Sequence, residues 1–287
     1  SLRRRRCRRR KILRSIIFSC SIIAVAVFVA VGSSMIRSGD GRTNKYDVEA
    51  GNNTYDNAVI ENSKISEKNK IQNNQSMLDD IMNSTQYPKQ LKDLALKNEE
   101  ALEFVYDYPA EHVKEHTIDL TEEASMDSVP LFVQWDKRWG YEKYSGNFFA
   151  ASGCGPTTLS MVVVYLTHDR EASPIAVAKY SKEAGYSVDG SGSSWTLISE
   201  GCMHYGVKAK AVALDESRMK AELDEGHPIV VNVGPGDFTD TGHFMVITGY
   251  DDEGFSINDP NSIEKSGKRW LFRNISSQIR AVWSMYV

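Results

Sequence analysis

Only four cysteines occur in 287 residues, too few for a disulfide-dense scaffold. Two of them, Cys7 and Cys20, lie near the N-terminus, which leaves Cys154 and Cys202 for the body of the chain. No Gly-x-x-x-x-Gly-Lys-Ser/Thr phosphate loop is present, so a nucleotide-driven transporter is excluded for this chain. The six histidines are not spaced as a metal-ligand set, and no metal or cofactor is expected. No repeat recurs at a fixed period, and only one run is apolar enough to cross a bilayer. Charged residues make up 25% and aromatics 10%, a balance that excludes a disordered polymer and requires a packed core.

The formal net charge of -4 conceals an uneven layout. Nine cations, Arg3 to Arg6, Arg8 to Arg10, Lys11 and Arg14, crowd the first fourteen residues. Residues 38–128 hold 9 basic and 19 acidic groups, and 129–287 hold 15 and 19. Such a body is not expected to bind nucleic acid. Next to the arginines, Ser15 to Ile36 gives 22 uncharged residues, and at 1.5 Å per residue this length spans about 30 Å of hydrocarbon. The expectation is a single anchor in membrane lipid, with the basic tail (1–14) in the cytoplasm and the rest outside. Ala30, Val31 and Gly32 also suit a cleaved secretory signal, which would release the protein.

Beyond the anchor, 37–86 is rich in Asn, Ser, Asp, Lys and Gly and reads as an acidic polar linker. From Tyr87 to Tyr108, Leu91, Leu94, Leu96, Leu102, Phe104, Val105 and Tyr108 fall at mostly helical spacing, so 87–128 reads as a helical leader segment packed on the main domain, its helix ended by Pro109. Residues 129–287 amount to one domain. There, helices are predicted at Gly155 to Thr167, Pro174 to Glu183, Trp195 to Tyr205 and Glu216 to Glu225. Strands are predicted at 209–213, 228–233, 243–250, 254–258 and 281–286. Helices first and strands later is an α+β pattern, with the first helix against an antiparallel sheet.

Cys154, between Gly153 and Gly155 and just before Pro156, falls at a helix N-terminus, where the helix dipole favours the nucleophilic thiolate. The two glycines would let a substrate backbone approach. His243 follows a glycine-rich loop and opens an apolar strand, a position that is rigid yet exposed. If 243–250 and 254–258 pair as a hairpin, Asp259 comes opposite His243 and completes a Cys, His, Asp set. The competing reading makes Asp259 a turn residue before Pro260. Another pairs Cys154 with Cys202 in a disulfide and makes the domain a non-catalytic surface binding module. Trp195, after a Gly/Ser-rich loop, lines a cleft or anchors a helix start.

These residues carry a family resemblance. Val129, Pro130, Gln134, Asp136 and Trp139, then Gly153–Pro156, then Gly242, His243, Phe244, Gly249 and Tyr250, then Asn258, Asp259 and Pro260 resemble the bacterial cysteine peptidases of the bacteriocin-processing (double-glycine) type, in particular their stand-alone members. The resemblance implies a papain-like fold and a peptide or protein substrate. It also implies Cys154 as nucleophile, His243 as general base and acid, Asp259 as the orienting carboxylate, and a Gln to bind the oxyanion. In papain-like enzymes that Gln commonly stands six residues before the Cys, where this chain has Phe148. Gln134 is therefore the candidate. The Cys-then-His order is shared with NlpC-type enzymes, so an amidase acting on cell-wall peptides is the alternative activity. Oligomeric state is not legible.

Overall fold

The computed structural model describes residues 52–287, with side chains from residue 64 onward. The expected anchor at 15–36 lies outside the described residues, and among those described no helix is long and apolar enough to cross a membrane. The chain divides into Ser1–Lys70 and Ile71–Val287. The predicted linker is corrected in part: helix α1 runs over Asn52–Asn83. Polar composition hid it, but no Gly or Pro interrupts those residues, and Lys, Glu and Gln are good helix formers. Its last turns are fastened by Ile81, fully buried, with Met77 and Leu78 beside it.

The segment after α1 is helical but broken. Helix α2 (Lys89–Lys97) buries Leu91, Leu94 and Ala95. A 3-10 turn (Glu99–Ala101) and short helices at Leu102–Tyr106 and Tyr108–Glu111 follow. Pro109 does not end the helical segment; it lies in the first turn of the last of these helices, where its missing N–H costs nothing. Leu91, Leu94, Phe104 and Val105 form one cluster with Phe148 and Ala150, so this segment packs on the domain as expected. The Phe104 ring stacks on Tyr141 at 4.2 Å between centroids.

The main domain is α+β. Helix α3 (Cys154–Thr167) is buried along nearly its whole length, which the apolar run from Leu159 to Leu166 requires. Helix α4 (Pro174–Glu183) starts at a Ser173 cap and packs beside α3. The expected helix from Trp195 to Tyr205 is instead an α-turn, Thr196–Ser199, and a 3-10 stretch, Gly201–Tyr205. The break falls at Glu200, whose φ of -127° and ψ of -45° leave the helical region, beside Gly201, where a Cβ would sit 3.1 Å from the Tyr186 ring.

Six strands make an antiparallel sheet: β1 (Lys208–Ala211), β2 (Ile229–Val233), β3 (His243–Asp251), β4 (Gly254–Asn258), β5 (Arg269–Trp270) and β6 (Ile279–Tyr286), ordered β1-β6-β2-β3-β4-β5. Helix α5 (Glu216–Asp224) joins β1 to β2 and is capped by Asp215. Alternation along the strands separates two cores. Val230, Phe244, Val246 and Met285 join the cluster that contains α3. Ile229, Val231, Met245, Ile247 and Ile257 face the other way with Met219 of α5. Each fully buried aliphatic side chain of this kind contributes about 1.5–3 kcal/mol, so register is strongly specified. Phe244 and Met245 thereby fix which way their neighbour His243 points.

Candidate active site

Cys154 is the first residue of α3. Its flanking glycines are required by packing. A Cβ on Gly153 would lie 2.5 Å from the Phe149 ring, and one on Gly155 would lie 2.5 Å from Ser193 Oγ. Ser193 Oγ is itself held at 2.6 Å by the Tyr144 hydroxyl. The two glycines thus let the Cys-bearing turn sit down between the Phe149 ring and the Ser193 loop. Cys154 stays partly accessible while most of α3 is buried.

His243 is the first residue of β3, paired across the sheet with Val233. The expected exposure is corrected: it is only 6% exposed, and the loop that leads into it from β2 lines the same cleft. Gln278 secures that loop at its base. Gly234 donates its N–H to the Gln278 carbonyl at 2.8 Å, and the Gln278 amide exchanges hydrogen bonds with the Asp237 N–H and carboxylate at 2.7 and 2.6 Å. Gly236 lies so close to the Gln278 side chain that no Cβ fits there.

The β3-β4 hairpin forms as expected, with Val246 opposite Asn258. Asp259, one residue past β4, is fully buried, and its Oδ1 lies 2.7 Å from His243 Nε2. The same Oδ1 accepts the Asn261 N–H at 2.8 Å. Asp259 is thus both the turn residue and the partner of the imidazole, two readings the sequence set against each other.

Electrostatics pair the groups further. Burial alone would push the His243 pKa down, but the adjacent Asp259 charge and hydrogen bond, with Cys154 on the other side, hold it up at about 10. Burial alone would push the Cys154 thiol up. Contact with His243 outweighs it, aided by the backbone N–H groups of Phe244 and Gly155, and the thiol lies below its ordinary value. The arrangement favours a thiolate and imidazolium side by side. Cys202 is a second free thiol, fully buried, its pKa pushed up by burial to about 11. It belongs to the core, and the alternative disulfide is not formed.

A cleft of about 500 Å³ opens over Cys154 and His243. Its walls are Gln134 and Asn147, the loop from Gly236 to Gly242, Asn261 with Lys265, and, from the helical segment, Gln90, Asp93, Leu94, Lys97 and Asn98. Gln134 is therefore in the site, and at 5% exposure it is no surface residue. Its backbone N–H donates to the Pro260 carbonyl at 2.7 Å, and its Nε2 donates to the Ala150 carbonyl at 2.7 Å. That bond orients the amide with Nε2 toward Ala150; its Oε1 is buried without a partner, and a second Nε2 hydrogen is left over. Phe148, where a papain-like enzyme commonly has its Gln, is buried against Tyr108 of the helical segment at 5.7 Å between ring centroids. Trp195 is not brought into the cleft; it is half-exposed and packs edge-on against Trp283 at 6.0 Å, as the helix-start reading allowed. The contribution of the helical segment to the cleft was missed. Only the alternation of polar Gln90, Asp93 and Lys97 with buried Leu91 and Leu94 along α2 hinted at it.

No curated protein matches this chain. Two solved structures are similar at low identity. One is the peptidase domain of Streptococcus ComA, a bi-functional ABC transporter involved in a quorum sensing pathway, at 19% identity over 55% of this chain and 96% of that one, TM-score 0.40. The other, described as a C39-like peptidase from Bacillus anthracis, has 18% identity over 55% and 95% of the two chains, TM-score 0.35. The model of the Peptidase C39-like family matches residues 126–287, a span that takes in Gln134, Cys154, His243 and Asp259, and the chain belongs to that family.

Proposed function

We propose that this chain is a cysteine peptidase that hydrolyses peptide bonds by acyl transfer at Cys154. The observation that carries the reading is the line from Cys154, at the head of a buried helix, through His243 to Asp259 Oδ1 at 2.7 Å, beneath an open cleft. The Cys154 thiolate attacks the substrate carbonyl. The His243 imidazolium then protonates the leaving amine, and as neutral imidazole it takes a proton from the water that releases the acid. Asp259 holds the ring orientation and stabilises its charged form. The developing oxyanion is met by the free hydrogen of Gln134 Nε2 and by the Cys154 backbone N–H, since the first N–H groups of a helix have no intrahelical acceptor.

The proposal extends to placement. The nine cations and the 22 uncharged residues that follow support a single anchor in anionic membrane lipid, with the peptidase domain outside the cytoplasm. Treating intact cells with an external protease tests this, since the domain must be lost while cytoplasmic markers survive. The enzymatic proposal is tested by stoichiometric labelling with a peptide electrophile. Labelling must vanish in Cys154→Ala and slow sharply in His243→Ala, and labelling that persists in Cys154→Ala sinks the assignment. Amine release from peptidoglycan, with none from peptides, would redirect the reading to a cell-wall amidase.

A further inference from the structure

The segment ahead of the family match does more than cover apolar surface. Family similarity begins at residue 126, yet the loop carrying Asp259 is tied to residues 98–100. Asn98 Nδ2 donates to the Asn261 carbonyl at 2.9 Å and to its Oδ1 at 3.1 Å. The Asn98 Oδ1 in turn accepts the Glu100 N–H at 3.0 Å, which orients the second residue. Glu100 Oε2 accepts the N–H groups of Ile263 and Glu264 at 2.8 and 3.0 Å, while its Oε1 bonds the buried Ser262 hydroxyl. Asn261, held in this way, donates its own N–H to the Asp259 oxygen that contacts His243.

Resting on the peptidase reading, we propose that Glu100, with Asn98, is a positioning residue for the active site: it fixes the 259–266 loop so that Asp259 Oδ1 stays on His243 Nε2. Two features make the link short. Glu100 spans both residues that follow Ser262, and only Asn261 and Pro260 separate Ser262 from Asp259. The charged groups facing His243 are Asp259 and Cys154, so any drift of the loop acts on the imidazole through Asp259. The peptidase domain and the helical segment then form one functional unit, although only the former matches the family.

The test is the rate of Cys154 alkylation against pH, with kcat and KM, in the full chain carrying Glu100→Gln, Glu100→Ala or Asn98→Ala. Thermal unfolding is followed in parallel. Glu100→Gln keeps the shape and an oxygen for the Ile263 and Glu264 N–H groups but loses the charge that strengthens those bonds, so it serves as the conservative variant, and Asn98→Ala serves where Glu100→Ala fails to fold. Expected in folded variants is a fall in kcat of at least ~10-fold, with KM little changed, and a shift of the alkylation profile to higher pH as His243 loses its carboxylate. Folded Glu100→Ala or Asn98→Ala proteins with wild-type kcat and profile overturn the proposal, and so does a change in thermal midpoint alone. A wild-type protein whose Cys154 is unreactive at every pH overturns the peptidase reading as well, which separates the two failures.

Discussion

His243 and Asp259 come within 2.7 Å of each other where neither meets solvent freely, the imidazole 7% and the carboxylate 0% exposed. A buried ion pair is costly to break from one side, because the remaining group keeps its desolvation penalty. Asp259→Asn preserves shape and the bond to Asn261 but removes the charge. The expected result is a fall in kcat of about 10²–10⁴, with a smaller effect on KM, in steady-state assays on a peptide substrate. Asp259→Ala is expected to lower the unfolding midpoint as well.

The pH dependence follows from the same pair. His243 is held at about 10, above its ordinary 6.5. The charged ring therefore contributes stability fully below 6.5, and this is lost as pH rises through about 10. Cys154 is lowered from 9.0, so alkylation of the thiol is expected to begin below the pH at which a free thiol reacts. Peptide hydrolysis measured against pH is expected to form a plateau that ends on the alkaline side near 10, where the imidazolium that protonates the leaving amine is lost. In His243→Ala the onset of alkylation is expected to move to higher pH.

Gln134 is expected to act on the transition state alone. Replacing it by Ala removes a donor from the cleft and leaves the Ala150 carbonyl unpaired. Loss of an oxyanion donor costs about 10²–10³ in kcat, so kcat is expected to drop by roughly that factor with KM almost unchanged. An unaltered kcat would place the oxyanion donors elsewhere.

Gly155→Ala drives a methyl group to within 2.5 Å of Ser193 Oγ and 2.7 Å of its Cβ. Overpacking of this kind costs typically 1–3 kcal/mol. A lowered thermal midpoint is expected, along with slower Cys154 alkylation, since the nucleophile turn must shift to make room.

Away from the cleft, Glu222 collects hydrogen bonds from Ser284 Oγ at 2.7 Å, Lys210 at 2.9 Å and His227 Nδ1 at 3.2 Å. Burial would raise its pKa, but these partners pull it from 4.5 down to about 2. A carboxylate lowered in this way stabilises the fold above pH 4.5, and its contribution is lost as pH falls through about 2. Denaturant titration of Glu222→Gln at neutral pH is expected to show a loss of about 1–2 kcal/mol. The gap to wild type should narrow below pH 4.

The strands and the Cys-His-Asp set were legible because each rests on local pattern. Short apolar, β-branched runs marked β2 and β3, the apolar run marked α3, and the short stretch from Asp251 to Glu253 marked the hairpin that brings Asp259 back to His243. Whatever depended on tertiary partners was not legible. The loop ahead of His243 is secured by Gln278, 41 positions beyond Asp237. The need for Gly153 and Gly155 comes from Phe149 and Ser193. The hydrogen bonds of Asn98 and Glu100 reach residues more than 160 positions away. Helix α1 was hidden for a different reason: its residues are polar nearly throughout, so no periodic apolar stripe announces it.

The alternation of β3 between two cores has a consequence for how activity is acquired. Phe244 and Val246 serve one core, and Met245 and Ile247 serve the other. Slipping the strand by one residue would exchange the cores and carry the imidazole to the wrong side of the sheet. No intermediate register leaves a weakened but working site. On the peptidase reading proposed above, activity is expected to return as this strand locks, so its recovery during refolding should coincide with recovery of the sheet rather than trail it.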